Sequence, residues 1–167
     1  MSRDTPEIAE NGGKFVKFWD TPVKLRVLTW ITVARSDWDK SWEKAKEYLT
    51  SERKEPLNPW DEKNQPRQVW LIGVYNHTDK KVQLWNISQV SIMKELKRLS
   101  KDEDFWDPRE YDIKITKVVT ATKTEYKVDW LSKGVLSAEA QEIVNAKPIN
   151  PANAIDWGDV FEVDERF

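Results

Sequence analysis

The sequence predicts a mainly β domain that contains one prominent helix, and two adjoining patterns carry this prediction. Residues 68–87 hold two runs rich in Val, Ile, Trp and Tyr, separated by the polar residues 77–81, which is the pattern of a β-hairpin. From Ser88 onward the period changes, because apolar residues recur at three-residue steps through residues 90–99. That spacing is typical of an amphipathic α-helix, and the Ser88 hydroxyl is suited to cap its first turn.

Two further extended segments are expected before the hairpin. Residues 14–20 are apolar and predict a short leading strand. Residues 23–33 alternate as a longer strand, with one face that is apolar enough for a core. The opposite face presents Lys24, Arg26 and Trp30 along one line.

The connection formed by residues 34–67 is long for a compact domain, and such connections are usually functional or mobile. A packed decoration of the domain is the alternative. Its second half is interrupted by three prolines and is expected to be irregular. Its first half predicts a helix that begins at Ser36 or Asp37. The apolar stripe of that helix would contain Trp38, Trp42, Ala45 and Leu49.

Two strands and a short helix are expected after the central helix. Residues 111–116 and 124–131 alternate as strands, and residues 137–146 predict a helix that ends before Pro148. Three strands, a helix and two strands is the order of a five-stranded OB-fold barrel, here with a helical insertion between its first and second strands. Such barrels bind oligonucleotides on the face of strands two and three and in the loops that join strands 1–2 and 4–5.

The length of 167 residues fits one domain. We expect residues 1–14 to be disordered, residues 15–150 to form the barrel and residues 151–167 to form an acidic tail. The whole chain carries a net charge of −2, but its last twelve residues carry −4, so residues 1–155 carry +2. A mildly basic body with an acidic tail is compatible with a nucleic-acid partner.

Composition narrows the function further. The absence of cysteine excludes disulfides and thiolate chemistry, and the lone His77 lies in a hairpin loop, where a solvated side chain is expected. No apolar run has the length of a signal peptide or a membrane span, so we expect a cytoplasmic protein with no membrane partner. Ten Trp residues are too many for so small a core, and we expect about two or three to stack against a ligand at the surface.

Two stretches of the chain resemble the single-stranded DNA-binding proteins encoded by many tailed bacteriophages. They are VWLIGVYNHTDKKVQLWNISQVSIMKELKRL and DEDFWDPREYDIKITK. The similarity covers residues 68–130 well and residues 23–30 more loosely. It implies a protein without enzymatic activity or cofactor that binds and protects single-stranded DNA during phage DNA replication and recombination, in the cytoplasm of the host cell.

The register of the hairpin decides which side chains would meet the DNA. If Asn76 faces Val82, then Gly73 lies opposite Trp85 and leaves one face of the indole uncovered at the surface. We therefore expect bases to stack on Trp85 and Tyr75, and phosphates to contact the basic residues of neighbouring strands. The expected DNA-binding residues are Trp85, Tyr75, Gln83, Lys24, Arg26, Trp30, Lys114 and Lys123.

The acidic tail is expected to bind other replication proteins. It spaces Trp157, Phe161 and the terminal Phe167 between acidic residues, which resembles in kind the Phe-ended tips by which bacterial single-strand binders recruit partners. A solvating terminus is the alternative. Ending the chain at Pro151 is expected to leave the DNA affinity unchanged or higher.

Two other classes of function compete with DNA binding. A protein–protein adaptor on the same barrel would use the Trp-rich connection and the acidic tail. A metal-dependent nuclease would need clustered carboxylates. Asp102, Glu103, Asp104 and Asp107 lie in a polar turn without a matching Lys or His, and no phosphate-binding glycine loop occurs. We therefore expect no enzymatic activity.

Overall fold

The structure, a computed structural model, describes residues 13–19, 21–39, 43–52, 54–63 and 65–162, without the side chains of Asp156 and Trp157. These residues form one seven-stranded antiparallel sheet with two α-helices, so the prediction of a mainly β protein is confirmed. The strands are β1 (Val23–Val27), β2 (Thr32–Asp39), β3 (Lys46–Thr50), β4 (Arg67–Asn76), β5 (Lys81–Ile87), β6 (Tyr111–Val119) and β7 (Thr124–Lys133). The helices are α1 (Val90–Leu99) and α2 (Ala138–Ala146), with 3₁₀ helices at Pro108–Glu110 and Pro151–Trp157.

Strand β4 is the centre of the sheet. β1 and β2 share one of its edges and β5 lies along the other, and the order through the rest of the sheet is β3-β2-β4-β1-β6-β7. α1 packs on the sheet through Ile92 and Leu96, which belong to the core, and Leu99 is buried as well. The sheet differs from the predicted closed barrel of five strands, since no ladder between the described residues of β5 and β7 closes it. No helix within the described ranges is long and apolar enough to span a membrane.

β1 and β2 are two halves of one bent strand. Val27 of β1 pairs with Val74 of β4, and Thr32 of β2 pairs with Leu71 of β4. The bent strand therefore uses five residues where β4 uses three, and its two extra residues form a bulge between β1 and β2. A bulge bends a strand and re-aims the side chains that would otherwise alternate. The single strand predicted for this part of the sequence is therefore interrupted, and Trp30 lies within the bulge.

The helix predicted in the connection after this strand is wrong. β2 and β3 occupy that part of the chain and pair antiparallel, with Arg35 opposite Thr50. Because β2 continues the ladder of β1 along β4, pairing between residues distant in sequence overrides the local helical period. The expected apolar stripe is consequently split: Leu49 is buried, Trp38 and Ala45 are exposed, and Trp42 lies outside the described residues.

The hairpin of β4 and β5 is shifted by one residue from the predicted register. Asn76 lies opposite Lys81, which places Trp85 opposite Ile72 on the core face. The turn explains the shift. The Asn76 side chain accepts hydrogen bonds from two backbone N–H groups and Lys80 adopts a φ of 55°, so the chain reverses within four residues.

Residues 13–18 cover the free edge of β5. The backbone of this segment forms one parallel bridge with Leu84. Phe18 packs between Trp85 and Tyr126 of β7, with ring centroids 6.2 Å and 5.8 Å away. The predicted leading strand is thus a single bridge, and its aromatic side chain fills the gap between β5 and β7. Apart from Gly13 and Lys14, the residues predicted to be disordered lie outside the described ranges.

The chain after β7 covers the other face of the hairpin. α2 packs on Tyr75. Further along, Ala154 and Val160 are buried in one cluster with Leu71 and Leu84. The packed part of the chain therefore continues beyond the predicted end of the domain and includes the start of the expected tail.

We predict that Gly73→Ala destabilises the protein by about 1–3 kcal/mol, the typical cost of overpacking. An added Cβ would lie 2.5 Å from Ile149 Cγ2 and 3.0 Å from Thr29 Cγ2, so a residue of the C-terminal segment would have to move. Urea unfolding measures the change. Gly134→Ala is the control, because nothing lies within 4 Å of a Cβ at that position. Equal stabilities of the two variants would contradict the close packing over Gly73.

Candidate nucleic-acid interface

The face on which bases were expected to stack is closed. Trp85 is 1% exposed, Tyr75 3% and Gln83 2%. Trp85 lies in the core beneath α1, and Gln83 Nε2 donates to the carbonyls of Gly13 and Phe15 at 3.0 Å and 3.3 Å. The prediction that Trp85 and Tyr75 are exposed platforms is therefore wrong. Gln83 instead holds the N-terminal segment on β5.

Three of the predicted cations lie side by side on the outer face of β1 and β6. Lys24 is paired with Lys114 across the ladder, and Arg26 lies opposite Asp112. The Asp112 carboxylate contacts two of these cations and His77. Arg26 Nε and His77 Nε2 each lie 2.8 Å from its Oδ1, and Lys24 Nζ lies 3.7 Å from its Oδ2. Arg26 is therefore a fixed, buried charge and Lys24 an exposed one, while His77 is partly buried rather than solvated.

Trp30 carries a guanidinium on one face of its ring. Arg109 Cζ lies 4.3 Å from the ring centroid of Trp30. Asp107 fixes this arginine through two hydrogen bonds of 3.0 Å, and these bonds hold the pKa of the Asp107 carboxyl below its usual value. Arg26 Nη1 donates to the Arg109 carbonyl at 3.3 Å, which joins this stack to the cations of β1. We call Lys24, Arg26, Lys114 and Arg109 the cationic strip.

An apolar cavity of about 310 Å³ opens beside Trp30, between the bulge and the end of α1. We call it the Trp30 pocket, and its main lining residues are Trp30, Ile31, Leu96, Trp106, Pro108 and Tyr111. Trp30 is 56% exposed and Trp106 53%, so both indoles present ring surface to solvent. Burial raises the pKa of Tyr111 to about 12, and its hydroxyl donates to the Phe105 carbonyl at 2.9 Å.

A second, more polar cavity of about 650 Å³ lies next to the Trp30 pocket. We call it the Lys133 cavity. Arg26, Arg109, Lys133 and Gln141 are among the residues that line it. Trp30 lines the first cavity and Arg109 the second, so the stacked pair forms part of the wall between them.

Trp106, Arg109 and Lys133 were missed by sequence reasoning. Trp106 and Arg109 flank Asp107-Pro108, which the sequence marks only as a turn. The sequence did contain a local signal for Arg109, which is an Asp placed to cap a short helix two residues before it. In the structure Asp107 is that cap, and its side chain accepts the Arg109 backbone N–H at 3.0 Å. Their approach to Trp30, however, depends on pairing between β1 and β6.

The remaining predicted residues lie elsewhere. Lys123, in the β6–β7 turn, forms an exposed ion pair of 2.7 Å with Glu125, which raises the pKa of the lysine. Phe161 is partly buried, and Lys147 Nζ lies 4.3 Å above its ring. The Trp157 side chain and Phe167 lie outside the described residues.

Two of the four carboxylates in the acidic turn, those of Asp102 and Asp107, have local structural partners. Asp102 accepts hydrogen bonds from the N–H groups of Asp104 and Phe105, and Asp107 holds Arg109. Among the residues that the structure describes, no three His, Asp or Glu side chains are grouped so that they could hold a metal ion.

Comparison with known proteins adds no template for this site. No family model, no curated protein and no solved structure matches the chain.

Proposed function

We propose that the protein binds single-stranded DNA without enzymatic activity and with little dependence on base sequence. The observation that carries this proposal is Trp30, an exposed indole whose ring is backed by the fixed guanidinium of Arg109 at the end of the cationic strip. A base stacked on such a ring contributes roughly 1–3 kcal/mol whatever its identity, because every base has a π face. The base pairs of a duplex are already stacked on each other, so an exposed indole favours single strands.

The cationic strip supplies the complementary phosphate contacts. Lys24 is exposed and Arg26 is fixed close to the Arg109 backbone, so a strand with a base on Trp30 would have positive charge along its sugar–phosphate side. Each phosphate that is neutralised releases counterions, which makes affinity fall as salt rises. Asp107 and Asp112 offset part of this charge, and we expect moderate affinity that salt weakens strongly.

The setting that we propose is phage DNA replication and recombination in the host cell. Its support is the resemblance of residues 68–130 to the single-stranded DNA-binding proteins of tailed phages. The order of strands around α1 supports a fold related to the OB barrel, opened between β5 and β7 and enlarged by β3. We include no cofactor in this proposal, since stacking and phosphate contacts need none.

Trp30→Ala is expected to weaken binding of an oligothymidine by about 5–150-fold, which corresponds to the loss of one stacked base. The fold should survive, because more than half of the Trp30 side chain is exposed. Fluorescence anisotropy of a labelled oligothymidine, measured at several salt concentrations, gives the affinity.

Lys24→Ala is expected to weaken binding and to reduce by about one unit the slope of log affinity against log salt concentration, as expected for one lost phosphate contact.

Trp60→Ala is the matched control, since Trp60 is 85% exposed in the loop before β4 and lies outside the site. It should bind oligothymidine like the wild type. Equal affinity of the wild type for duplex and single strand, or equal losses in the Trp30 and Trp60 variants, would contradict the proposal.

The adaptor remains a second candidate because Trp60 is presented on an anchored loop. Gln65 Nε2 donates to the Asp61 carbonyl at 2.7 Å, and buried Asp37 accepts from the Leu57 N–H at 2.8 Å. An exposed Trp on a fixed loop is typical of protein interfaces. Loss of DNA binding in the Trp60→Ala variant would place the DNA site at this loop instead of at Trp30, whereas an adaptor would lose only a protein contact.

A further inference from the structure

The hydroxyl groups of the Trp30 pocket are already engaged within the protein. Three hydroxyl groups line it, and each donates its hydrogen within the protein. Thr29 Oγ1 donates to the Trp30 carbonyl at 3.1 Å, Ser100 Oγ to the Lys97 carbonyl at 2.6 Å, and the Tyr111 hydroxyl to the Phe105 carbonyl. The pocket can therefore select a ligand by shape and by stacking, but it has no free hydroxyl donor with which to read one.

We propose that the Trp30 pocket receives one unstacked nucleobase of the bound strand, an inference that rests on the proposed function. Its volume of about 310 Å³ is at the lower end of the range, about 300–1,000 Å³, typical of small-ligand sites. Two exposed indoles, Trp30 and Trp106, lie at the pocket and offer ring faces to a base. Because the hydroxyl hydrogens are already donated within the protein, we expect the pocket to hold a base by stacking and not by a hydroxyl contact to its edge.

The Trp30–Arg109 stack determines how the nucleotide lies. The indole lines the apolar pocket and the guanidinium lines the Lys133 cavity. We expect a nucleotide whose base occupies the first to place its phosphate near Arg109 in the second, where Lys133 is already paired with Glu110 at 3.4 Å. Asp107 holds Arg109 against the ring by two hydrogen bonds, so this arrangement exists before DNA binds.

The experiment combines pocket variants with abasic DNA. The ligand is the shortest oligothymidine that the wild type binds at full affinity, which limits sliding, together with a series in which one abasic residue occupies each position in turn. We expect one position to cost the wild type about 5–150-fold in affinity when its base is removed. Trp106→Ala should weaken binding of the intact oligothymidine by a similar factor. Removal of the critical base should then lower the affinity of this variant little, because the contact between base and indole is already lost.

Two controls complete the design. Trp106→Phe keeps an aromatic ring and should restore most of the affinity. Trp19→Ala removes an exposed indole outside the pocket and should have no effect. Circular dichroism and the urea midpoint establish that each variant is folded.

The results separate the two proposals. Failure of the wild type to bind any oligothymidine would overturn the proposed function. Normal binding by the wild type and by Trp106→Ala, or an abasic penalty that persists in Trp106→Ala, would overturn the base pocket alone.

Discussion

Replacing Trp85 by alanine is expected to lower the free energy of unfolding by about 3–5 kcal/mol, the usual cost of the cavity left by a deleted core aromatic. The Trp85 side chain is almost fully buried, opposite Ile72 and against Phe18. Its indole N–H has no hydrogen-bond partner among the described residues, so the substitution removes no observed hydrogen bond. Urea unfolding followed by far-UV circular dichroism measures the loss.

The control for this prediction is again Trp60→Ala, which should change stability by less than about 0.5 kcal/mol because the side chain is exposed. At a temperature where the Trp85 variant is folded, its affinity for oligothymidine should equal that of the wild type. A variant that keeps its stability and loses DNA affinity would restore the interpretation of Trp85 as a stacking platform.

Ending the chain at Pro151 is expected to destabilise the protein by at least about 3 kcal/mol, because burial of one Val side chain contributes about 1.5–3 kcal/mol and more than one side chain is lost. The truncation removes Ala154 and Val160 and exposes Leu71 and Leu84 to water. The expectation from sequence that the truncated protein keeps or gains DNA affinity presupposes an unpacked tail, whereas Ala154 and Val160 belong to the core. A thermal or urea unfolding curve of the purified fragment measures the change.

Ending the chain at Glu162 is the matched control. That protein keeps the packed segment together with the hydrogen bonds from Asn153 Nδ2 to the Asp159 and Glu162 carbonyls, at 3.1 Å and 2.6 Å. Its urea midpoint should match that of the full chain. If the Pro151 truncation unfolds at the same urea concentration as the Glu162 truncation, the C-terminal segment contributes nothing to the core.

The elements that could be predicted are those whose signals are local. The hairpin and α1 each have a clear period, and the change from one period to the other lies within a few residues of Ser88. The register was missed because it depends on a turn that closes in four residues with Lys80 at a positive φ, an arrangement more usual for Gly or Asn. The β2–β3 region was missed because its helical period is overridden by pairing with β4.

Part of the candidate site could also be predicted. Alternation along one strand placed Lys24, Arg26 and Trp30 together, and the structure connects Arg26 to Trp30 through Arg109, although Trp30 lies in the bulge. Trp106 and Arg109 come from the turn after α1. They reach Trp30 only once β6 pairs with β1, which is a contact between residues about 85 positions apart that no local pattern reports.

The burial of residues from both ends of the described chain around one hairpin constrains how the protein is synthesised. Phe15, Ala154 and Val160 line one cavity at Leu84. At a synthesis rate of about 5–20 residues per second, the 73 residues between Ile87 and Val160 take roughly 4–15 s to add. We expect the nascent chain to present the apolar face at Leu84 to water during that interval, which is when chaperones and proteases would act on it.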